Sequence, residues 1–123
     1  MSVGKDLVAA SATPLVLAIL AERDSYGYAI LRRVSELSGG GLQWTDGMLY
    51  PVLHRLERQG YVAAGWRTAE SGRKRKYYRI TREGRAQLAE QQRQWRVVDQ
   101  ALRGIWKALC FEAQRAPVPA QGA

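Results

Sequence analysis

One cysteine, one histidine and one phenylalanine occur in 123 residues, and each scarcity excludes something. A lone Cys110 cannot close an intrachain disulfide, so a stapled secreted scaffold is excluded, a reducing compartment fits, and the residue reads as packing or inert surface. With His54 as the single imidazole, no His/Cys cluster has metal-ligand spacing. Nor does any nucleophile, base and orienting group assemble, so neither an enzyme nor a metal or cofactor is expected. The apolar run of residues 15–21 is too short to cross a bilayer, and the first residues lack the cationic segment and long apolar stretch of a secretory signal. The expectation is a cytoplasmic protein that makes no use of membranes. Acidic side chains are also few, 11 against 19 Lys and Arg.

What is present suffices for a core: 46% of residues are hydrophobic, with four Trp and six Tyr, far from the composition of disordered chains. The length allows one domain plus an accessory helix. The net charge of +8 is concentrated. Arg67, Arg73, Lys74, Arg75, Lys76, Arg79, Arg82 and Arg85 face only Glu70 and Glu83, eight against two, so residues 67–85 carry +6. Charge gathered in one short segment is the footprint of a phosphate backbone or an anionic membrane.

Along the chain, Thr13-Pro14 reads as an N-cap and first helical position ahead of an apolar helix. Residues before Thr13 stay open between another helical turn and a flexible arm. A second helix is expected after Asp24, capped by Ser25, with Ile30, Leu31, Val34 and Leu37 on one face and Gly39-Gly40-Gly41 as its stop. Leu49, Val52, Leu53 and Leu56 then fall at i, i+3, i+4 and i+7, one buried stripe of a third helix. Thr45 is its expected N-cap, Trp44 and Leu49 its hydrophobic staple and Gly60 its left-handed stop. Pro51 inside this helix predicts a kink or a loosened first turn.

The period then changes to alternation. Val62, Ala64 and Trp66 share one strand face, Glu70-Ser71-Gly72 form a turn, and Lys76, Tyr78 and Ile80 share a face of the returning strand. Thr81 can cap a last long helix. In it Leu88, Trp95, Leu102 and Leu109 recur every seven residues, with Val98 and Ile105 between them, a seam that needs a partner. The fold class is therefore mainly α: a winged helix-turn-helix with a two-stranded β-wing and a long C-terminal dimerisation helix. Residues 1–81 are expected to form the DNA-binding domain, 82–112 the dimerisation helix and 113–123 a flexible tail.

The exposed face of the third helix would carry Met48, Tyr50, Pro51, His54, Arg55 and Arg58, with Gly47 bare near the N-terminus, where unpaired N–H groups and the helix dipole favour an anion. A solvated charged face is the alternative for such a helix standing alone. Beside it, Ser71-Gly72-Arg73-Lys74-Arg75-Lys76 reads as a wing tip whose cations neutralise phosphates, supplying affinity and salt dependence more than sequence choice.

Three stretches together resemble the PadR family of bacterial transcription regulators, in its short subgroup with a single C-terminal helix. They are Tyr26-Gly27-Tyr28-Ala29-Ile30, then Gly47-Met48-Leu49-Tyr50-Pro51-Val52-Leu53-His54-Arg55-Leu56-Glu57 with Gly60, and Arg75-Lys76-Tyr77-Tyr78-Arg79-Ile80-Thr81 with Gly84-Arg85. The resemblance runs from about Thr13 to Trp106. It implies a homodimer that represses genes from an inverted repeat in double-stranded DNA, often released by a small, frequently aromatic, compound. Thr45 and Tyr50 match positions that contact DNA backbone in such proteins, and Tyr26 joins the set through its motif. Met48 departs from the family pattern, which has a small hydroxyl residue there, so one phosphate hydrogen bond is missing. Arg55 or His54 would read bases. Trp95, with Val98 and Asp99, is the expected effector contact near the dimer axis, and a plain seam knob is its alternative reading. A basic RNA-binding or ribosome-associated protein is the rival function; it would favour exposed stacking aromatics and needs no heptad seam.

Overall fold

The computed structural model describes residues 3–115. Helix α1 (Lys5–Glu22) leads through a two-residue strand β1 (Ser25–Tyr26) into α2 (Gly27–Leu37) and α3 (Asp46–Arg58); strands β2 (Val62–Thr68) and β3 (Lys74–Ile80) form the hairpin, and α4 (Arg82–Arg115) closes the order. The sheet order is β1-β3-β2, antiparallel throughout, with Ser25 opposite Tyr78 and Tyr26 opposite Tyr77. The wing is thus a three-stranded sheet rather than a lone hairpin.

Two expected element starts shift, each for a physical reason, and one end lies further on. Residues 5–12 are rich in strong helix formers, and Val8 and Ala12 pack into the core. Helix α1 therefore begins at Lys5, leaving Thr13 and Pro14 in its interior, where burial of the apolar face outweighs the bond lost at proline. Ser25 does not cap α2. It is buried in β1, its backbone paired to β3, and Tyr26 takes the N-cap position with no side-chain cap bond. At the far end α4 runs to Arg115, past the expected limit of 112; the rest of the expected tail lies outside the described residues.

Other punctuation acts as read. Gly39 and Gly40 adopt φ of 59° and 84°, and Gly60 81°, the left-handed geometry that ends α2 and α3 at little cost only with glycine. Thr45 is the N-cap of α3, whereas Pro51, read as a point of irregularity, sits within an uninterrupted helix. Thr81 caps α4: Gly84 N donates to its Oγ1 at 3.0 Å, while that hydroxyl donates to Gly60 O at 2.6 Å.

The core joins Val16, Leu17, Ile19 and Leu20 of α1 to Ile30 and Val34 of α2, Leu49, Leu53 and Leu56 of α3, and Val62, Tyr78 and Ile80 of the sheet, with Trp44 above α3. Arg33 of α2 grips both carboxylate oxygens of Glu22 on α1, at 2.9 and 2.7 Å. The hydrogen bond from Arg33 holds the Glu22 carboxyl below its ordinary pKa.

The chain forms two units, the first ending at Glu90 and the second beginning at Gln91, so the opening turns of α4 belong with the winged domain. Leu88, counted in the seam by its heptad position, packs against that domain's core. Within the second unit, Val98, Leu102, Ile105 and Leu109 are exposed on the protomer and Trp95 is half-buried. No helix among the described residues is long and apolar enough to cross a membrane.

Candidate nucleic-acid interface

Helix α3 turns Leu49, Leu53 and Leu56 fully inward. By the helical period, that leaves Thr45, Gly47, Met48, Tyr50, Pro51, His54 and Arg58 exposed. The Thr45 side chain makes no cap bond, so its hydroxyl is not consumed by its own helix; Met48 N already donates to Thr45 O at 3.1 Å, which leaves the N–H groups of Asp46 and Gly47 as those without an intrahelical acceptor. A Cβ on Gly47 would meet only Thr45 Oγ1, at 3.7 Å. The fold has room for a side chain there, so the bareness of Gly47 serves approach from outside. Asp46 is the one carboxylate in this first turn; it favours the helix dipole and works against a phosphate at the same end.

Tyr50 and His54 stand one turn apart with ring centroids 6.3 Å apart. The Tyr50 hydroxyl lies over the start of α2, so close that a Cβ on Gly27 would come within 2.5 Å of it. Gly27 is what lets Tyr50 reach the α2 N-terminus, which lacks a side-chain cap. Beneath, the Tyr78 hydroxyl is buried without a hydrogen-bond partner among the described residues, and burial holds it above the ordinary phenol pKa, with Tyr50 and Glu57 adding to the shift. Tyr78 therefore stays neutral.

Arg55 is placed differently from its neighbours. It is half-buried and donates from Nη2 to Thr13 Oγ1 of α1 at 2.6 Å, turned from the exposed face that His54 and Arg58 share. Thr13 is 42 positions away, and no periodicity could have shown the contact.

On the wing, Gly72 (φ 85°) closes the turn while Ala69 N donates to Arg73 O at 2.8 Å. Strand alternation puts Arg67, Arg75 and Tyr77 on one face and Trp66, Lys76 and Tyr78 on the other. On the first face Arg75 lies 4.3 Å over the Tyr26 ring and Arg67 lies 4.8 Å over Tyr77. The two tyrosines meet edge-on at 5.3 Å, and Arg67 also pairs with Asp24 at 2.5 Å. Tyr26 is thus the support on which Arg75 is laid out. Lys76 stands 5.7 Å over Tyr78. Arg73 and Lys74 are exposed at the tip. The sequence had marked the cations without distinguishing these roles. It also missed exposed Trp66 beside Lys76 and exposed Tyr28, 5.9 Å from the Arg32 guanidinium.

In the second unit, Val98 and Asp99 are exposed near Trp95, and the Asp99 carboxylate accepts from Arg103 at 2.7 Å. No link between this cluster and the winged domain is needed to describe either.

Residues 16–90 match the model of the transcriptional regulator PadR-like family. A protein of Lysinibacillus sphaericus is 33% identical over 100 residues, 81% of this chain and 92% of that protein. Among solved structures, a transcriptional regulator from Clostridium thermocellum superposes with a TM-score of 0.73 at 27% identity, covering 81% of this chain and 97% of the other. A PadR family transcriptional regulator from Eggerthella lenta gives 0.67 at 36% identity, covering 82% and 86%.

Proposed function

Since the chain belongs to the PadR-like family of transcriptional regulators, we propose that it is a cytoplasmic repressor that binds an inverted-repeat operator as a homodimer. The supporting observation is a division of labour among the cations. Arg67 is paired with Asp24 and stacked on Tyr77, and Arg55 is turned to Thr13 by a single bond, whereas Arg73 and Lys74 make no side-chain hydrogen bond or ion pair among the described residues. Exposed cations without an internal role are those available for phosphates.

In this reading α3 enters the major groove. Thr45, the Gly47 backbone and Tyr50 hold phosphates, Met48 and Pro51 give apolar contact, and His54 with Arg58 faces base edges. Arg55 joins the readers only by leaving Thr13. Arg73, Lys74, Arg75 and Lys76 line the flanking backbone, with Tyr26 positioning Arg75. The exposed residues Val98, Leu102, Ile105 and Leu109, with Trp95, form the dimer seam, and a planar aromatic effector stacks on Trp95 beside Val98 and Asp99. Leu88 contributes by anchoring α4 to the winged domain.

Selection of bound sequences from a random DNA pool tests the function. A twofold-symmetric site with half-site centres about 10 base pairs apart, or a multiple of that, is the expected product. An asymmetric product, or a stronger preference for structured RNA, would refute the dimeric operator reading.

A further inference from the structure

Trp66 is 69% exposed, although tryptophan is highly buried on average. It makes no hydrogen bond, ring contact or cation–π contact among the described residues. A single exposed apolar residue is ordinary on a protein surface, so the surroundings decide whether it has a role. In the hairpin Val62 pairs with Ile80, Ala64 with Tyr78, Trp66 with Lys76 and Thr68 with Lys74, and directly opposed residues share a face. The inner half of that face is core: Val62, Tyr78 and Ile80 are buried with Leu49, Leu53 and Leu56 of α3. Two residues further out, about 7 Å along the strand, the same face presents the free indole beside Lys76 and Lys74. No carboxylate stands in either strand.

Charge and shape select the occupant. Two lysines with no opposing carboxylate favour a polyanion. A protein partner fits poorly, because one indole offers at most about 250 Å2 against roughly 800 Å2 per partner in a stable interface. Trp66 projects from the sheet face on which α3 packs, so a duplex lying along α3 and the wing passes over it. The indole also carries a directional group, since its Nε1–H donates and cannot accept. In the minor groove A·T pairs offer only acceptors, adenine N3 and thymine O2, whereas G·C pairs add the guanine N2 amino donor. That groove is about 6 Å wide, a slot for a flat ring presented edge-on.

We propose that Trp66 is a base-pair selector, which enters the minor groove beside the α3 site and prefers A·T over G·C pairs there. Its Nε1–H donates to a base acceptor and its ring lies against the deoxyribose walls. The guanine amino group is the excluding element, because it sets donor against donor where water has been displaced. Lys74 and Lys76 hold phosphates on either side, so the lysines supply affinity and the indole supplies discrimination. This rests on the DNA-binding reading above and deepens it: the wing reads sequence at its Trp66 face as well as neutralising charge at its tip.

The test needs no operator. The full chain is titrated against poly(dA-dT), poly(dI-dC) and poly(dG-dC) duplexes; hypoxanthine keeps the major-groove edge of guanine and lacks its amino group, so the last two differ chemically only in the minor groove. The unaltered chain should bind poly(dA-dT) and poly(dI-dC) alike, each roughly two- to tenfold more tightly than poly(dG-dC), the range that one net hydrogen bond supplies. Trp66→Phe keeps a ring and removes the N–H. It should lose that preference while its salt slope and melting temperature stay unchanged, since neither a phosphate contact nor a core contact is touched. Lys74→Ala should do the reverse, flattening the slope of log affinity against log salt by about 0.9 per wing and keeping the preference. Equal binding of all three duplexes by the unaltered chain, or a Trp66→Phe chain that keeps the preference, overturns the inference and leaves DNA binding standing. Tighter binding of single-stranded poly(dT) than of any duplex also overturns it, because the indole would then stack on unpaired bases. So does a changed oligomeric mass in Trp66→Ala, which would make the indole a protein contact. Binding to none of the duplexes removes this inference and the DNA-binding reading together.

Discussion

Removing Arg73 and Lys74 together should flatten the salt dependence of DNA binding, whereas removing Arg67 should not. Both changes delete wing cations from the same cluster, so overall charge alone predicts similar effects per residue. The structure separates them. Arg73 and Lys74 are exposed at the tip, while Arg67 already pairs with Asp24 and stacks on Tyr77. Each phosphate neutralised contributes about 0.9 to the slope of log affinity against log salt, so the double variant loses about 1.8 per wing and about 3.6 in a dimer with both wings engaged. Over a fourfold rise in salt, a slope difference of about 3.6 amounts to about two orders of magnitude in affinity. Fluorescence anisotropy with a labelled non-specific duplex measures it without knowledge of the operator. Arg67→Ala should retain the wild-type slope within error. An unchanged slope in Arg73→Ala/Lys74→Ala, or a loss in Arg67→Ala as large per residue, would refute the assignment of free and consumed cations.

Four further outcomes follow, three from packing and one from an ion pair. Leu102→Glu/Ile105→Glu alters residues exposed on the protomer, so a mass measurement should find a monomer with the winged domain still folded; Leu88→Ala should instead lower thermal stability by roughly 1 to 2 kcal/mol, because that side chain is half-buried against the core, and leave the dimer intact. Gly84→Ala would drive a Cβ into the Tyr61 carbonyl and Ile80, and calorimetry should register about 1 to 3 kcal/mol of destabilisation, typical of overpacking. The Glu22 carboxyl, lowered by Arg33, contributes stability that is present above the ordinary Glu pKa and lost as pH falls through the lower folded value. In Glu22→Gln that part of the acid-induced drop in Tm should disappear, and a drop identical to wild type would contradict the ion pair.

Legibility in the sequence tracked the range of the interaction that decides each feature. Helix α3 was readable because its apolar stripe, the Thr45 start and the Gly60 stop are all local and agree. The start of α1 was not, since the local signal at Thr13-Pro14 competed with burial of Val8 and Ala12, and burial wins in a formed core. Strand β1 is two residues long and exists only because β3 offers it an edge; nothing within Ser25-Tyr26 announces that. The interface was legible as a residue set and illegible as roles, because Arg55 is assigned by Thr13, Arg67 by Asp24 and Arg75 by Tyr26, partners 42, 43 and 49 positions distant.

Helix α4 shows the same limit most plainly, since a heptad repeat fixes which residues share a face without naming what covers it. Leu88 spends its place in the repeat on its own domain, so the seam left open begins at Trp95 and ends at Leu109, two heptads, or about 21 Å at 1.5 Å per residue. That is short for a two-helix association in isolation. The same stretch carries a second apolar strip, Val97, Ala101, Gly104, Ala108 and Phe111, spaced at i, i+4, i+7, i+11 and i+14 and exposed throughout. A helix apolar on two faces is stable in water only when both are covered. A partner helix on the Leu102 seam covers one of them, so the homodimer proposed for this chain has to bring a further element of the partner onto α4, and a Val97→Glu/Phe111→Glu chain should lose dimer stability although both residues lie off the heptad seam.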